Sequence, residues 1–285
     1  MKTLFFCILM ACGISLSVYA EGKWTIYTTG STQEFDPESV YALAIEGDYI
    51  WCGTYWGVVK WNRKNGSFTR YTTEDGLLRD SIWAVAIDRK GVKWFGHFGV
   101  SGISSFDNVH WTRYTKETVP EMAAYETSTT YNWGFRVNDI VVDPENTVYF
   151  SATSTLTRQT GHAPYFTNNL LVLEDGKWTI LPVEHNGTNT TLLVDPAYPD
   201  TVWYAYGGYG SGYFVKPAYK FIPLSWEQRS GVEIGGTCMA MDKDRSIWYG
   251  DAGTVNVFNQ KFSAVFTTEE TGIICGDGYI QAVAV

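Results

Sequence analysis

The chain has 285 residues, of which 16% are aromatic, with 12 Trp, 19 Tyr and 28 Gly, and its net charge is 21 − 30 = −9. That length is ample for one large all-β domain, and the composition favours aromatic-packed strands and tight turns over a helical or disordered chain. An acidic balance with no run of Lys or Arg excludes a nucleic-acid groove or an anionic membrane surface as the expected partner.

Residues 1–20 differ from the remainder. Lys2 gives a positive start, Leu4–Leu16 is apolar, and Val18-Tyr19-Ala20 is a small-x-small cleavage pattern. This reads as a secretory signal peptide cut after Ala20. The rival reading takes Leu9-Met10-Ala11-Cys12 as a lipobox with Cys12 acylated. No later stretch approaches the roughly 20 apolar residues of a membrane span. The expected location is periplasmic or extracellular, with residues 21–285 as the folded domain. Cleavage leaves Cys52, Cys238 and Cys275, an odd set with no metal-ligand spacing. Cys52, between Trp51 and Gly53, reads as a small buried residue. Cys238 and Cys275 could pair, and spacing does not decide it.

From Trp24 onward, short alternating strands recur in a constant order. An aromatic-led strand starts at Trp24, Phe68, Trp111, Trp178, Phe221 and Phe262, at intervals of 44, 43, 67, 43 and 41 residues. An inner alternating strand recurs at Val40–Ile45, Ile82–Ile87, Val137–Val142, Thr191–Val194, Cys238–Met241 and Ile280–Val285. A third strand carries Trp51, Trp94, Tyr149, Trp203 and Trp248. Phe68–His110 reads as one complete meander of four strands. Such a sheet cannot bury both faces alone, so copies must stack. Four-stranded units repeating every 41–44 residues predict a β-propeller, with the third-strand aromatic between blades. The expectation is five four-stranded blades plus an incomplete sixth, made of an N-terminal outer strand (Trp24–Thr29) and a C-terminal inner strand (Ile280–Val285). An unfinished blade edge invites self-association or a protein partner.

The segments Trp51-Cys-Gly-Thr-Tyr-Trp-Gly57 and Tyr71-Thr-Thr-Glu-Asp-Gly-Leu77 closely resemble the two-component regulator propeller repeat. Trp94-Phe-Gly96 and Trp248-Tyr-Gly250 resemble it in part. In that family the repeats build the extracytoplasmic sensor of hybrid histidine kinases, often sensing glycan fragments. The resemblance implies a sensor-type propeller. No kinase or response domain follows in this chain.

Unit three exceeds its neighbours by roughly 24 residues, split between Val119–Arg136 and Thr153–Asn169. In an up-and-down blade, the outer-to-inner and second-to-third-strand connections emerge on one face, so both insertions are expected as long loops there. The expected ligand-binding residues on that face are Tyr55, Trp56, Arg79, His97, Phe98, Trp133, Arg136, His162 and Tyr209. Flat aromatics with Arg and His donors suit a carbohydrate or another small polar ligand, although loop aromatics can equally plug a propeller channel.

Catalytic signals are weak. The four His are scattered without zinc spacing, and there is no nucleophile elbow or phosphate loop. Asp88, Asp143, Asp195 and Asp242 recur at hairpin turns, where side-chain-to-backbone bonding is the simpler reading. No cofactor, metal or catalytic residue is expected. A protein-interaction scaffold is one alternative. A funnel-site lyase or hydrolase using His97 with His162 is another.

Overall fold

The computed structural model describes residues 40–99, 102–125, 136–156, 165–183, 190–206, 210–223, 238–251, 254–259 and 262–267. They form five four-stranded antiparallel sheets, each an up-and-down meander. Blade one comprises β1 (Val40–Glu46), β2 (Tyr49–Thr54), β3 (Gly57–Asn62) and β4 (Phe68–Tyr71). Blade two comprises β5 (Ile82–Ile87), β6 (Lys93–His97), β7 (Ile103–Phe106) and β8 (Trp111–Tyr114). Blade three comprises β9 (Arg136–Val142), β10 (Val148–Leu156), β11 (Tyr165–Glu174) and β12 (Lys177–Val183). Blade four comprises β13 (Thr190–Val194), β14 (Thr201–Tyr206), β15 (Gly210–Val215) and β16 (Lys220–Pro223). Blade five comprises β17 (Cys238–Met241), β18 (Ile247–Asp251), β19 (Thr254–Asn259) and β20 (Phe262–Thr267). The protein is an all-β five-bladed propeller, as its repeat predicts. Both proposed pieces of a sixth blade lie outside the described residues, as do residues 1–20.

Two expectations are corrected. Phe68–His110 is not one sheet, because β4 pairs with β3 while β8 completes the sheet of β5–β7. The aromatic-led strand therefore closes a blade rather than opening one. The excess of unit three is also not simply loop. Part of it lengthens β10 and β11 to 9 and 10 residues, and part forms a 3-10 turn, Pro120–Tyr125. Met122 of that turn and Val119 just before it are buried in the core between blades two and three.

The blades are joined by a repeated division of labour. At the first two junctions, the inner strand presents small side chains to the next blade, whose inner strand answers with larger ones. Ala42 and Ala44 pack with Ile82, Val85 and Ile87, while Ala84 and Ala86 pack with Val137, Ile140 and Val142. Gly53 and Gly96 permit this approach. A Cβ on Gly53 would sit 2.8 Å from an Ile82 methyl, and one on Gly96 would sit 2.6 Å from a Val137 methyl.

The second strand of every blade repeats one polar bond. Trp51 donates to Glu46 (2.9 Å), Trp94 to Asp88 (3.2 Å), Tyr149 to Asp143 (3.0 Å), Trp203 to Asp195 (3.2 Å) and Trp248 to Asp242 (2.9 Å). The other oxygen of each Asp accepts two backbone N–H groups of the turn, from Lys90 and Val92 in blade two and from Asp244 and Ser246 in blade five. The recurring Asp residues are thus turn caps that also anchor the inter-blade aromatic. Three of the five acids further hold a cation from the next blade: Lys93 on Glu46, Lys216 on Asp143 and Arg245 on Asp195, at 2.6–2.7 Å.

Candidate functional site at the axial end of the inner strands

The inner strands β1, β5 and β9 each carry a register shift near their start, between Val40 and Ala42, between Ile82 and Ala84, and opposite Ser151 and Ala152. A bulge adds one residue to the strand and re-aims its side chain. The bulged positions of β1 and β5 hold Tyr41 and Trp83. These two rings stack with centroids 5.0 Å apart and planes 6° apart. Trp83 also stacks on Phe98, which follows β6, at 5.1 Å and 22°. From β9, the Arg136 guanidinium lies 5.3 Å from the Trp83 ring and 5.9 Å from the Phe98 ring. Three consecutive blades therefore contribute to one aromatic–cation cluster.

Its chemistry is specific. The Trp83 Nε1–H is buried and has no hydrogen-bond partner among the described residues. A buried donor left unpaired costs on the order of 1–3 kcal/mol, and such groups call for an explanation. Burial pushes the Arg136 guanidinium down to about 10, which still leaves it charged at neutral pH. Tyr41 remains 43% exposed, so the cluster is open to solvent on the blade-one side.

Of the residues singled out in the sequence, the structure brings Phe98 and Arg136 together. Tyr55 and Trp56 form an exposed edge-to-face pair with centroids 5.1 Å apart on the β2–β3 turn. That turn lies at the same end of blade one as Tyr41, since Thr54 pairs with Val40. Arg79 is exposed and donates to the Gly99 carbonyl at 3.2 Å, tying the loop before β5 to the turn after β6.

His97 is a correction. It is the last residue of β6, fully buried, with Nε2 2.8 Å from Ser104 Oγ, which in turn accepts the Leu78 N–H. Burial pushes its imidazole down to about 3, so it is neutral and holds the sheet rather than facing the rim. The funnel-chemistry alternative loses its described His there. Trp133, His162 and Tyr209 lie outside the described residues. Tyr41 and Trp83 were missed because strict alternation places them on a blade face. Their shared position, an aromatic one residue after the first apolar residue of the inner strand, was the available signal.

Beneath the cluster, the inner strands are cross-linked by polar bonds. Asn138 donates to Thr153 and to Thr190 at 2.8 Å, and half-buried Asp139 accepts from Thr191 and from the Leu192 backbone. Desolvation raises the Asp139 carboxyl above its ordinary value, against those bonds. Among the described residues no three His, Cys, Asp or Glu gather as a metal site, and no helix is long and apolar enough to cross a membrane.

No protein-family model and no curated protein sequence matches the chain. Among solved structures it is similar to the extracellular domain of a hybrid two-component system from B. thetaiotaomicron (16% identity, TM-score 0.53, covering 81% of this chain). It is also similar to YCF48 from Cyanidioschyzon merolae (12%, 0.53, covering 80% of this chain and 72% of that one). A third is regucalcin from Agrobacterium tumefaciens, described as a calcium-binding protein (11%, 0.51, 80% and 74%). The chain spans only 28% of the length of the two-component extracellular domain. At these identities the likeness is one of fold, and the fold they share with this chain is the β-propeller.

Proposed function

We propose that this protein is an exported, sensor-type ligand-binding propeller. Its Tyr41–Trp83–Phe98–Arg136 cluster receives a carbohydrate fragment or another small polar ligand. The observation that carries the reading is the unpartnered Trp83 Nε1–H within a stack of flat rings beside a guanidinium. Stacked rings offer apolar area to a sugar face, and the indole and guanidinium donors match hydroxyl or carboxylate oxygens. Arg79 and the Tyr55–Trp56 pair extend the surface outward at the same end. The fold similarity to a two-component extracellular domain supports the sensor character. The predicted signal peptide supports export.

The test is a thermal-shift screen of neutral and acidic oligosaccharides, followed by calorimetry on the ligands that stabilise the protein. Trp83→Ala and Arg136→Gln should each weaken binding at least tenfold with unchanged far-UV circular dichroism. A ligand that binds both variants as tightly as the parent removes this site from the reading.

A further inference from the structure

Hydroxyl and carboxylate ligands both suit the donors of the axial cluster, and Asn138 separates the two. In β9, Val137 pairs with Ala152 and Asp139 with Ser151, so Asn138 is the bulged residue. It holds in blade three the place that Tyr41 and Trp83 hold in blades one and two. Its amide N–H groups are already used, on the Thr153 and Thr190 hydroxyls, both at 2.8 Å. Its Oδ1 is buried and has no hydrogen-bond partner among the described residues. Two residues before Trp83, the Ser81 hydroxyl is likewise buried and unpartnered among them. Adjacent inner strands thus present an open donor, Trp83 Nε1–H, and an open acceptor, Asn138 Oδ1, at equivalent positions. The Ser81 hydroxyl beside them can act as either.

An ionised acid and a hydroxyl answer this set differently. A carboxylate only accepts hydrogen bonds, so it can take the Trp83 and Arg136 donors. It leaves Asn138 Oδ1 unpaired and opposes lone pairs to lone pairs there. A hydroxyl accepts from the indole and donates to the amide oxygen. Arg136 does not discriminate, because a guanidinium donates equally to both. We propose that Asn138 makes the site selective for a neutral polyhydroxyl ligand over an anionic one, an inference that rests on the cluster being the binding site. One neutral sugar accepts from Trp83 and donates to Asn138 through its own hydroxyls. Sites built to bond a ligand hydroxyl discriminate strongly, because an analogue lacking it strands a buried polar group.

Calorimetry on the full chain tests this, with oligomers of galactose, glucose and mannose set against the corresponding uronates. A neutral series should bind about tenfold or more tighter than its uronate. Asn138→Ala should weaken neutral binding about fivefold or more and leave uronate binding unchanged, which narrows the gap. If Asn138→Ala impairs folding, Asn138→Asp replaces it, since it keeps an acceptor oxygen and accepts from both Thr hydroxyls. That variant should hold neutral binding within about threefold of the parent and weaken uronate binding further. A uronate that binds as tightly as its neutral partner overturns the selectivity but leaves the cluster as the site. So does neutral binding that Trp83→Ala abolishes and Asn138→Ala leaves unchanged. Neutral binding that survives Trp83→Ala removes the cluster as the site, and this inference with it. If neither series binds, the ligand is not a sugar and the inference falls.

Discussion

The Lys93 ammonium, fully buried in blade two, reaches Glu46 of blade one at 2.7 Å, and the same carboxylate accepts the Trp51 indole N–H at 2.9 Å. Lys93 is further held by the Gly91 carbonyl and by the Asn108 side chain. The Glu46 side chain is 30% exposed. Removing one partner of such a pair is costly when the remaining charge stays buried. Glu46→Ala should therefore destabilise by about 3 kcal/mol, because it strands a buried cation. Lys93→Met should cost only about 1 kcal/mol, since the carboxylate left behind can take up water. Urea unfolding of the two variants checks the order, and a larger loss in Lys93→Met would refute it.

Trp94 joins blades two and three. It is nearly buried, meets Phe150 edge-on at 5.6 Å and Tyr114 at 5.4 Å, and donates to Asp88. Burying about 200 Å² of indole at about 25 cal/mol/Å² stabilises by roughly 5 kcal/mol before entropy. Trp94→Ala should cost about 3–5 kcal/mol. A loss below about 1 kcal/mol in chemical denaturation would show that the ring is not part of the junction.

Stability should depend on pH through two overlapping windows, of which only that of His97 extends above pH about 4.5. His97 is held neutral, with its value lowered from 6.5 to about 3 by burial. Between those values the unfolded chain binds a proton that the folded one does not. Stability therefore falls on acidification through this window, at up to about 1.4 kcal/mol per pH unit. In Glu46, burial raises the carboxyl, but the bonds from Lys93 and Trp51 and the nearby Lys93 and Lys60 charges outweigh it, and the net shift is downward. Its stabilisation is present above its ordinary value of 4.5 and is lost as pH falls below it. In melting curves from pH 7 to 4, His97→Gln should flatten the decline above pH about 4.5 and leave the steeper fall below it. An unchanged slope between pH 5 and 6.5 would mean His97 titrates normally.

Cys52 is buried on β2, and burial alone pushes its thiol up to about 12. A protonated, enclosed thiol does not react. At pH 8 the native protein should leave Cys52 unlabelled by iodoacetamide, as peptide mass mapping would show, whereas unfolded protein should be labelled there. Rapid native labelling of Cys52 would place it at the surface.

The fold was legible because each blade repeats the same physical solution. The inner strand runs apolar and small, an acid ends it, and an aromatic starts the next strand. Predicted inner strands such as Ile82–Ile87 and Cys238–Met241 coincide with β5 and β17. The site was half legible. Phe98 and Arg136 could be read from loop position and residue type. Tyr41 and Trp83 left only a faint mark, an aromatic at the same position in two inner strands, because a bulge shifts facing by one residue against the alternation. His97 misled for a related reason. Next to it, Gly96 lies inside β6, where its missing Cβ makes room for Val137 and Ala84, so the strand runs on through His97 and buries it.

The lengthened hairpin of blade three changes how the axial end can be approached. β10 has four residues more than β6, and the excess lies beyond Ala152, on the side toward the β10–β11 turn. At about 3.3 Å per residue this raises a parapet of roughly 13 Å beside Arg136. Blade one has no such wall, and Tyr41 there remains open to solvent. Among the described residues, the Trp83 ring is therefore flanked by a wall on the blade-three side and open on the side of blade one. An otherwise near-rotationally symmetric ring acquires a front and a back.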